Sequence, residues 1–218
     1  MNNKRTLWMT SLLCLVPMIF SALVYSRLPD QIAIHWNAAG EADNYVSKAI
    51  AAFGLPILFL LINLLLTKMR MRGDPENEAQ TRAKAGWQIY VWTAPVLSVI
   101  LVPVTLLIAM GAEIPMDLFA SLLVGLVLVV CGNYLPKSRK NGFMGIKLPW
   151  TLSDETNWNK THRLAGYLYI AGGVLLIICN FLLSNTIARL SVTGVVVVAL
   201  ILIPILYSYT LYTRGKAK

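Results

Sequence analysis

Two polar stretches hold the residues of this chain best suited to chemistry. The first, RLPDQIAIHWNAAGEADNYVSK from Arg27 to Lys48, contains His35, Glu41 and Asp43. An imidazole beside two carboxylates is the material of a metal site or an acid/base pair. The spacing H-x5-E-x-D matches no pair of ligands on one helix face, however, and H-E-x-x-H is absent. Convergence would require Gly40 to turn the chain. A second reading docks His35 and Trp36 at the headgroup level of a membrane, where amphipathic aromatic side chains settle. A third is recognition of a peptide or lipid headgroup by an ordered loop. Its candidate ligand-binding residues are Pro29, His35, Trp36, Asn37, Gly40, Asp43 and Lys48. The missing ligand spacing favours docking or recognition over a metal.

The second stretch runs from Gly132 to Gly166, GNYLPKSRKNGFMGIKLPWTLSDETNWNKTHRLAG. Gly132 to Gly145 is expected to bend the chain out of an apolar segment, with Arg139, Lys140 and Lys147 placed where phosphates would lie. Pro149-Trp150 is expected to be extended, and Ser153 to cap a helix whose first turn carries Asp154 and Glu155. That helix would run on into the next apolar segment, with Trp158, His162 and Tyr169 near one face. It reads as an amphipathic start, lying in the interface, to a membrane helix. His162 beside Trp158 and Asp154 could act as a general base, but no nucleophile stands at a definable distance. A hydrogen-bonded interfacial histidine fits those missing partners better. Neither stretch holds a complete catalytic set, which argues against an enzyme, and no cofactor motif is present.

The elements that must position these stretches are membrane helices. The 218 residues are 57% apolar and 13% charged, against roughly 45–50% and about 25% in average soluble domains. The apolar residues come in runs that match the ~30 Å hydrocarbon core of a bilayer. Six spans are expected near Leu7–Ser26, Ala49–Thr67, Trp87–Met110, Ile114–Leu135, Leu164–Leu183 and Ile187–Tyr209. The fold class is thus an all-α, six-span integral membrane protein, and the absence of period-two alternation excludes a β-barrel. The first span is longer than a signal-peptide core and lacks a small-residue cleavage site, so it is expected to stay.

Sixteen of the 19 Lys and Arg residues fall in the N-terminus, the 68–84 and 137–163 loops and the C-terminal tail, leaving Arg27, Lys48 and Arg189 on the other side. The positive-inside bias therefore predicts that both termini are cytosolic. The same distribution explains the net charge of +9 through topology and anionic headgroups, without nucleic acid. The chain divides into 1–110, three spans with the 27–48 loop, and 111–218, three spans with the 132–166 loop. The mixed-charge 68–86 loop reads as solvated. Asn63 and Asn180 are expected to make interhelical hydrogen bonds, and Pro56, Pro95, Pro103 and Pro204 to kink helices. Cys14, Cys131 and Cys179 read as small buried residues. No ionisable residue lies mid-span, which argues against an ion-coupled transporter.

One resemblance covers nearly the whole chain. Gly132-Asn133-Tyr134-Leu135-Pro136, Asn141-Gly142-Phe143-Met144-Gly145-Ile146-Lys147-Leu148-Pro149-Trp150-Thr151-Leu152 and Trp158-Asn159-Lys160-Thr161-His162-Arg163-Leu164-Ala165-Gly166 resemble the signature of SdpI-type bacterial immunity proteins. Leu28-Pro29, His35-Trp36-Asn37, Gly40, Asp43 and Ser47-Lys48 resemble a companion membrane domain of undefined function. The resemblance implies a multi-pass protein of the bacterial cell membrane, in contact with membrane lipids, that protects against a secreted, membrane-acting peptide toxin. In some members it also implies that the toxin-engaged protein captures a cytosolic repressor. The 27–48 loop then senses the toxin. Asn133, Arg139, Asn141, Gly145, Lys147, Pro149, Trp150, Thr151, Trp158 and His162 would bind the partner or couple to it. Lys147 stands where Arg is more usual, and Lys lacks Arg's bidentate fork. The competing class is a membrane enzyme or a lipid or peptide transporter acting at the headgroup level.

Overall fold

In the computed structural model, residues 3–37, 40–71, 84–140 and 145–216 are described. Among them are six helices long and apolar enough to cross a membrane: Lys4–Arg27, Ile50–Lys68, Val91–Ala109, Met116–Lys137, Glu155–Leu182 and Ile187–Gly215. All six expected spans are present. The chain forms two compact units, Met1–Gly73 with Trp87–Met116, and Asp74–Gly86 with Asp117–Lys218.

The first unit opens with α1 (Asn3–Leu15) and α2 (Pro17–Val24). Pro17 has no N–H to donate into the preceding turn, which is why the span breaks there. Two strands follow, β1 (Gln31–Trp36) and β2 (Ala42–Ser47), paired antiparallel. This hairpin corrects the all-α expectation. The sequence showed turn residues and aromatics but too short an alternation to stand out beside 20-residue apolar runs. A π-helical turn, Ile50–Gly54, leads into α3 (Leu55–Met71), and α4 (Lys84–Ala109) completes the unit. Pro56 directly follows the π-helical turn within the continuous Ile50–Lys68 span, where its missing N–H coincides with the irregular turn.

Burial ties the hairpin to the helices. Leu28 and Ile32 pack with Ala51, Ala52, Val102 and Leu106 in one buried cluster. Asn63 meets its expectation, donating from Nδ2 to Thr10 Oγ1 at 3.1 Å across α1 and α3. Ser98 of α4 donates to the Cys14 carbonyl of α1 at 2.8 Å, just before the Pro17 break.

The second unit contains α5 (Met116–Tyr134), a short α6 (Pro149–Ser153), the long α7 (Glu155–Leu182) and α8 (Thr186–Lys216). The chain leaves the span after Tyr134, within the expected 132–145 segment, and Gly132 itself lies inside α5. It is helical, and a Cβ there would stand 2.7 Å from the Gly166 carbonyl oxygen and 2.8 Å from the Ile170 nitrogen. Seven residues away, a Cβ on Gly125 would lie 2.9 Å from the Gly173 carbonyl. These glycines remove the side chains between α5 and α7 and let the two backbones touch, the small-residue contact that replaces hydrophobic driving force within lipid. On the other side of α7, Leu176 packs with Val196 and Leu200 of α8.

Asn180 does not behave as expected. It is 4% exposed, and neither its Oδ1 nor its Nδ2 has a hydrogen-bond partner among the described residues. Near the same end of the unit, Asp117 of α5 forms an ion pair with Arg189 of α8.

Candidate functional site

The hairpin arranges the first group of candidates. Its register runs Gln31↔Ser47, Ile32↔Val46 and Ala33↔Tyr45, then becomes irregular through His35↔Asn44 and Trp36↔Ala42. Asp43 is left without a cross-strand Cα partner, and its carboxylate accepts from His35 Nδ1 at 2.5 Å. Glu41 does not join that pair. Its backbone N–H donates to Asn37 Oδ1 at 3.0 Å, and its carboxylate accepts from Asn37 Nδ2 at 3.2 Å. The imidazole and two carboxylates therefore fall into separate couples. Among the described residues no group of three or more His, Cys, Asp or Glu could hold a metal ion.

Gly40 has φ +81 and donates to the Asn37 carbonyl at 2.9 Å, closing the turn. At the other end of the hairpin the Lys48 ammonium lies 2.9 Å from Asp30 Oδ1 and 5.6 Å from the Tyr25 ring centroid. The hydrogen bond, and secondarily the charge, of Lys48 holds the Asp30 carboxyl below its ordinary range, while Asp30 raises Lys48 in turn. Pro29 is exposed just before β1, and Trp36 is half-buried. The hairpin thus presents His35, Asp43 and Tyr45 to solvent on a base fixed by Leu28 and Ile32.

The second group closes one end of the other unit. Leu148 is extended, as a residue before proline must be, but Pro149 is the first residue of α6 rather than part of an extended corner. The fixed φ of Pro149 suits that place. The Thr151 hydroxyl accepts from the Leu148 N–H at 2.9 Å and donates to the Ile146 carbonyl at 2.8 Å. Ser153 is not the cap of α7. Asp154 is extended and accepts from the Thr156 N–H at 2.8 Å, while Ser153 Oγ donates to the Trp150 carbonyl. A carboxylate at that position satisfies an orphan N–H and opposes the helix dipole, which a hydroxyl does less well.

From Asp154, α7 presents Asn157, Trp158, Thr161 and His162 as a buried face, while Asn159, Lys160 and Arg163 are exposed. Trp158 Nε1–H donates to the Ser138 carbonyl at 2.8 Å. Its ring stacks on His162 with centroids 4.0 Å apart. His162 accepts the Ile146 N–H on Nε2 at 2.9 Å and donates from Nδ1 to the Trp158 carbonyl at 2.8 Å. The proton on Nδ1 follows from the backbone donor facing Nε2. Both ring nitrogens are committed and the residue is fully buried, so His162 is a structural pin and not a general base.

Gly145 fits flat against this pin. It has φ +104, and a Cβ would overlap His162 Nε2 and stand 3.0 Å from Trp158 Cζ2.

Trp150 fastens α6 to α8. Its Nε1–H donates to Ser208 Oγ at 2.8 Å, and its ring packs against Tyr209 and Tyr212 at 5.4 and 6.0 Å. Asn157 Nδ2 donates to the Ser208 carbonyl at 2.9 Å, and Thr161 Oγ1 donates to Asn157 Oδ1 at 3.0 Å. Gly145, Trp150, Thr151, Trp158 and His162 are therefore members of one cross-linked platform. Asn133 is exposed and accepts from Lys137 at 3.5 Å, while Arg139 and Lys147 are exposed at the margins. Asn141 lies outside the described residues. Sequence reasoning missed Asn157, Thr161 and Ser208, and the glycine contacts behind them. The pairs Gly125/Gly132 and Gly166/Gly173, each seven apart, were the available signal for those contacts.

A platform knitted across three helices, in a chain whose described residues include six helices long and apolar enough to cross a membrane, defines a multi-pass membrane protein. Residues 137–208, which hold most of that platform, match the SdpI/YfhL protein family, and residues 12–60, which hold the hairpin, match the domain of unknown function DUF1648. The chain is 28% identical over 211 residues to "Immunity protein SdpI" of Bacillus subtilis (strain 168), covering 97% of each protein. The chain is thus similar to SdpI-type proteins through both segments, as the sequence motifs indicated. No solved structure matches it.

Proposed function

We propose that this protein confers immunity on a bacterial cell against a secreted, membrane-acting peptide toxin. The observation that carries the reading is the similarity to an immunity protein over 97% of both chains, which includes the hairpin and the platform. The Lys and Arg distribution supports an orientation with both termini in the cytosol, the hairpin outside and the platform inside. In that orientation the hairpin meets the toxin first, through His35, Trp36, Asn37, Asp43 and the turn at Gly40, with Pro29 and Lys48 framing its base. The platform, its shape fixed by the buried Thr151, offers Trp150 and the exposed Asn133, Arg139 and Lys147 to a cytosolic repressor, which it captures when toxin is bound. His162 commits both ring nitrogens, Nε2 to the Ile146 N–H and Nδ1 to the Trp158 carbonyl, which supports a docking role there, since a recognition surface needs a fixed shape and no free base.

Expression of the protein in a bacterium sensitive to an SdpC-like toxin tests the reading. Survival should rise, and His35→Ala and Trp36→Ala should reduce it with membrane levels unchanged. Unchanged survival with the wild-type protein present in the membrane refutes immunity. Full protection by both variants removes the hairpin from toxin sensing. Recovery of a transcriptional repressor with the protein, only after toxin challenge, tests the platform's role.

A further inference from the structure

We propose that one face of α7 docks an anionic glycerophospholipid, whose phosphate sits between Lys160 and Arg163. The inference goes beyond the toxin reading and needs only that α7 crosses a membrane. At about 100° per residue, Lys160, Arg163, Tyr167, Val174, Ile178 and Phe181 lie within about 60° of one another around the helix. All six are exposed. Trp158, His162, Ala165, Gly173 and Leu176, which α7 buries, fall on the opposite side. The exposed stripe changes chemistry along its length as a bilayer does. Lys160 and Arg163 stand at one end and Phe181 at the other, with Val174 and Ile178 between. From Arg163 to Phe181 is about 27 Å along the axis, close to the ~30 Å of a hydrocarbon core. Tyr167, 65% exposed, stands about 6 Å inside Arg163. Its ring and hydroxyl suit the headgroup boundary, where amphipathic aromatic side chains settle.

The two cations call for an anion at that depth. Neither Lys160 nor Arg163 has an ion-pair partner among the described residues. The one acid on α7, Glu155, lies about 140° around the helix from Lys160. Side chains three positions apart are neighbours on a helix surface, so the two like charges repel unless one anion serves both. A phosphodiester brings a negative charge, and its two free oxygens accept from the ammonium and from the guanidinium fork. It also arrives with acyl chains that cover Val174 and Ile178, which free phosphate does not. A zwitterionic headgroup would carry its own ammonium to this pair of cations, so the stripe favours an anionic lipid. Thr156 and Asn159, exposed one turn further toward the polar end, offer hydrogen bonds to the rest of the headgroup.

Thermal unfolding of the full-length protein in neutral detergent, with phosphatidylglycerol, phosphatidylcholine or inorganic phosphate added, tests the stripe. Phosphatidylglycerol at about tenfold over its dissociation constant should raise the melting temperature of wild type by about 3–6 °C. Phosphatidylcholine and inorganic phosphate should leave it unchanged. Lys160→Gln/Arg163→Gln should lose the phosphatidylglycerol shift, and each single variant should lose part of it. Arg27→Gln/Arg214→Gln removes two exposed cations elsewhere and should keep the whole shift. An equal shift in Lys160→Gln/Arg163→Gln overturns the assignment to α7. Loss of the shift in Arg27→Gln/Arg214→Gln reduces the effect to net charge and overturns it too. An equal shift with phosphatidylcholine overturns the choice of an anionic lipid, and a shift with inorganic phosphate alone overturns a lipid as the occupant. No shift of wild type with phosphatidylglycerol overturns the proposal outright.

Discussion

Gly145→Ala isolates the pin that shapes the platform. Two costs arise at this position. An alanine at φ +104 occupies backbone space that L side chains avoid, at about 1–3 kcal/mol. Its Cβ would also overlap His162 Nε2, so the ring must withdraw and release the Ile146 N–H. A buried donor left unpaired adds about 1–3 kcal/mol. The combined penalty of about 2–6 kcal/mol compares with what holds the segment in place. Ile146 and Leu148 are tied through the Ile146 N–H to His162, the Thr151 hydroxyl to the Ile146 carbonyl and the Leu148 N–H to Thr151. At about 0.5–1.5 kcal/mol net for each bond, the penalty matches or exceeds that tie. The segment should therefore detach from His162 while α5, α7 and α8 stay packed. Hydrogen exchange read by mass spectrometry over 145–151 should accelerate by about two to three orders of magnitude, since each 1.4 kcal/mol is tenfold. Exchange within α7 beyond Ala165 should not change. Gly40→Ala separates the two costs, because Gly40 also has positive φ but nothing lies within 4 Å of its Cβ position. It should show only the backbone part, in its own turn. Wild-type exchange over 145–151 in Gly145→Ala would refute the wedge between Gly145 and His162.

Three further perturbations follow from the same geometry. Gly132→Ala or Gly166→Ala places a methyl against backbone atoms that cannot rotate away, so either should cost about 1–3 kcal/mol. Thermal unfolding checks this against Gly194→Ala, where nothing lies within 4 Å and stability should hold or rise. Asp117→Leu or Arg189→Leu takes the ion-pair partner from one charge of a largely buried pair, whereas the double substitution removes both charges. Each single variant should therefore melt well below the double variant, and a double variant no better than the singles would refute the coupling. Asp30 should titrate below an ordinary aspartate and return to the usual range in Lys48→Met, as read by carboxyl NMR. Because its folded value is depressed, what the pair adds is present above the ordinary carboxylate value and is lost as pH falls through the lowered one. On the alkaline side it is lost as pH rises through the elevated Lys48 value.

The spans and the two polar stretches were legible because each rests on a one-dimensional signal. A run of about 20 apolar residues needs no partner to be recognised, and 16 of 19 basic residues in four segments need only be counted. The Asn63 bond was readable for a similar reason, since an amide in a dry helix interface must find a partner. What failed depends on three-dimensional competition. The 132–145 segment was read as bending out of the span, which it does past Tyr134, but Gly132 itself was not read as a helix contact. The structure instead uses its missing side chain, since the Gly166 carbonyl oxygen would lie 2.7 Å from any Cβ there. Ser153 lost the cap to Asp154, one residue on, where a carboxylate meets both the orphan N–H and the helix dipole. Local preference alone did not separate those two adjacent caps.

His162 shows how a single contact can decide between a site and a scaffold. In sequence a histidine beside a tryptophan and an aspartate is compatible with a base, because composition does not reveal what faces each ring nitrogen. The deciding group is the N–H of Ile146, a backbone atom contributed by a residue with no chemistry of its own. It reaches Nε2 because Gly145 leaves room against the ring and Thr151 holds the Ile146 carbonyl on the other side. Glycine, threonine and histidine thus act as one unit, and the histidine's reactivity is consumed in making it. Asn180 presents the opposite case, an amide with both ends open in a dry helix end.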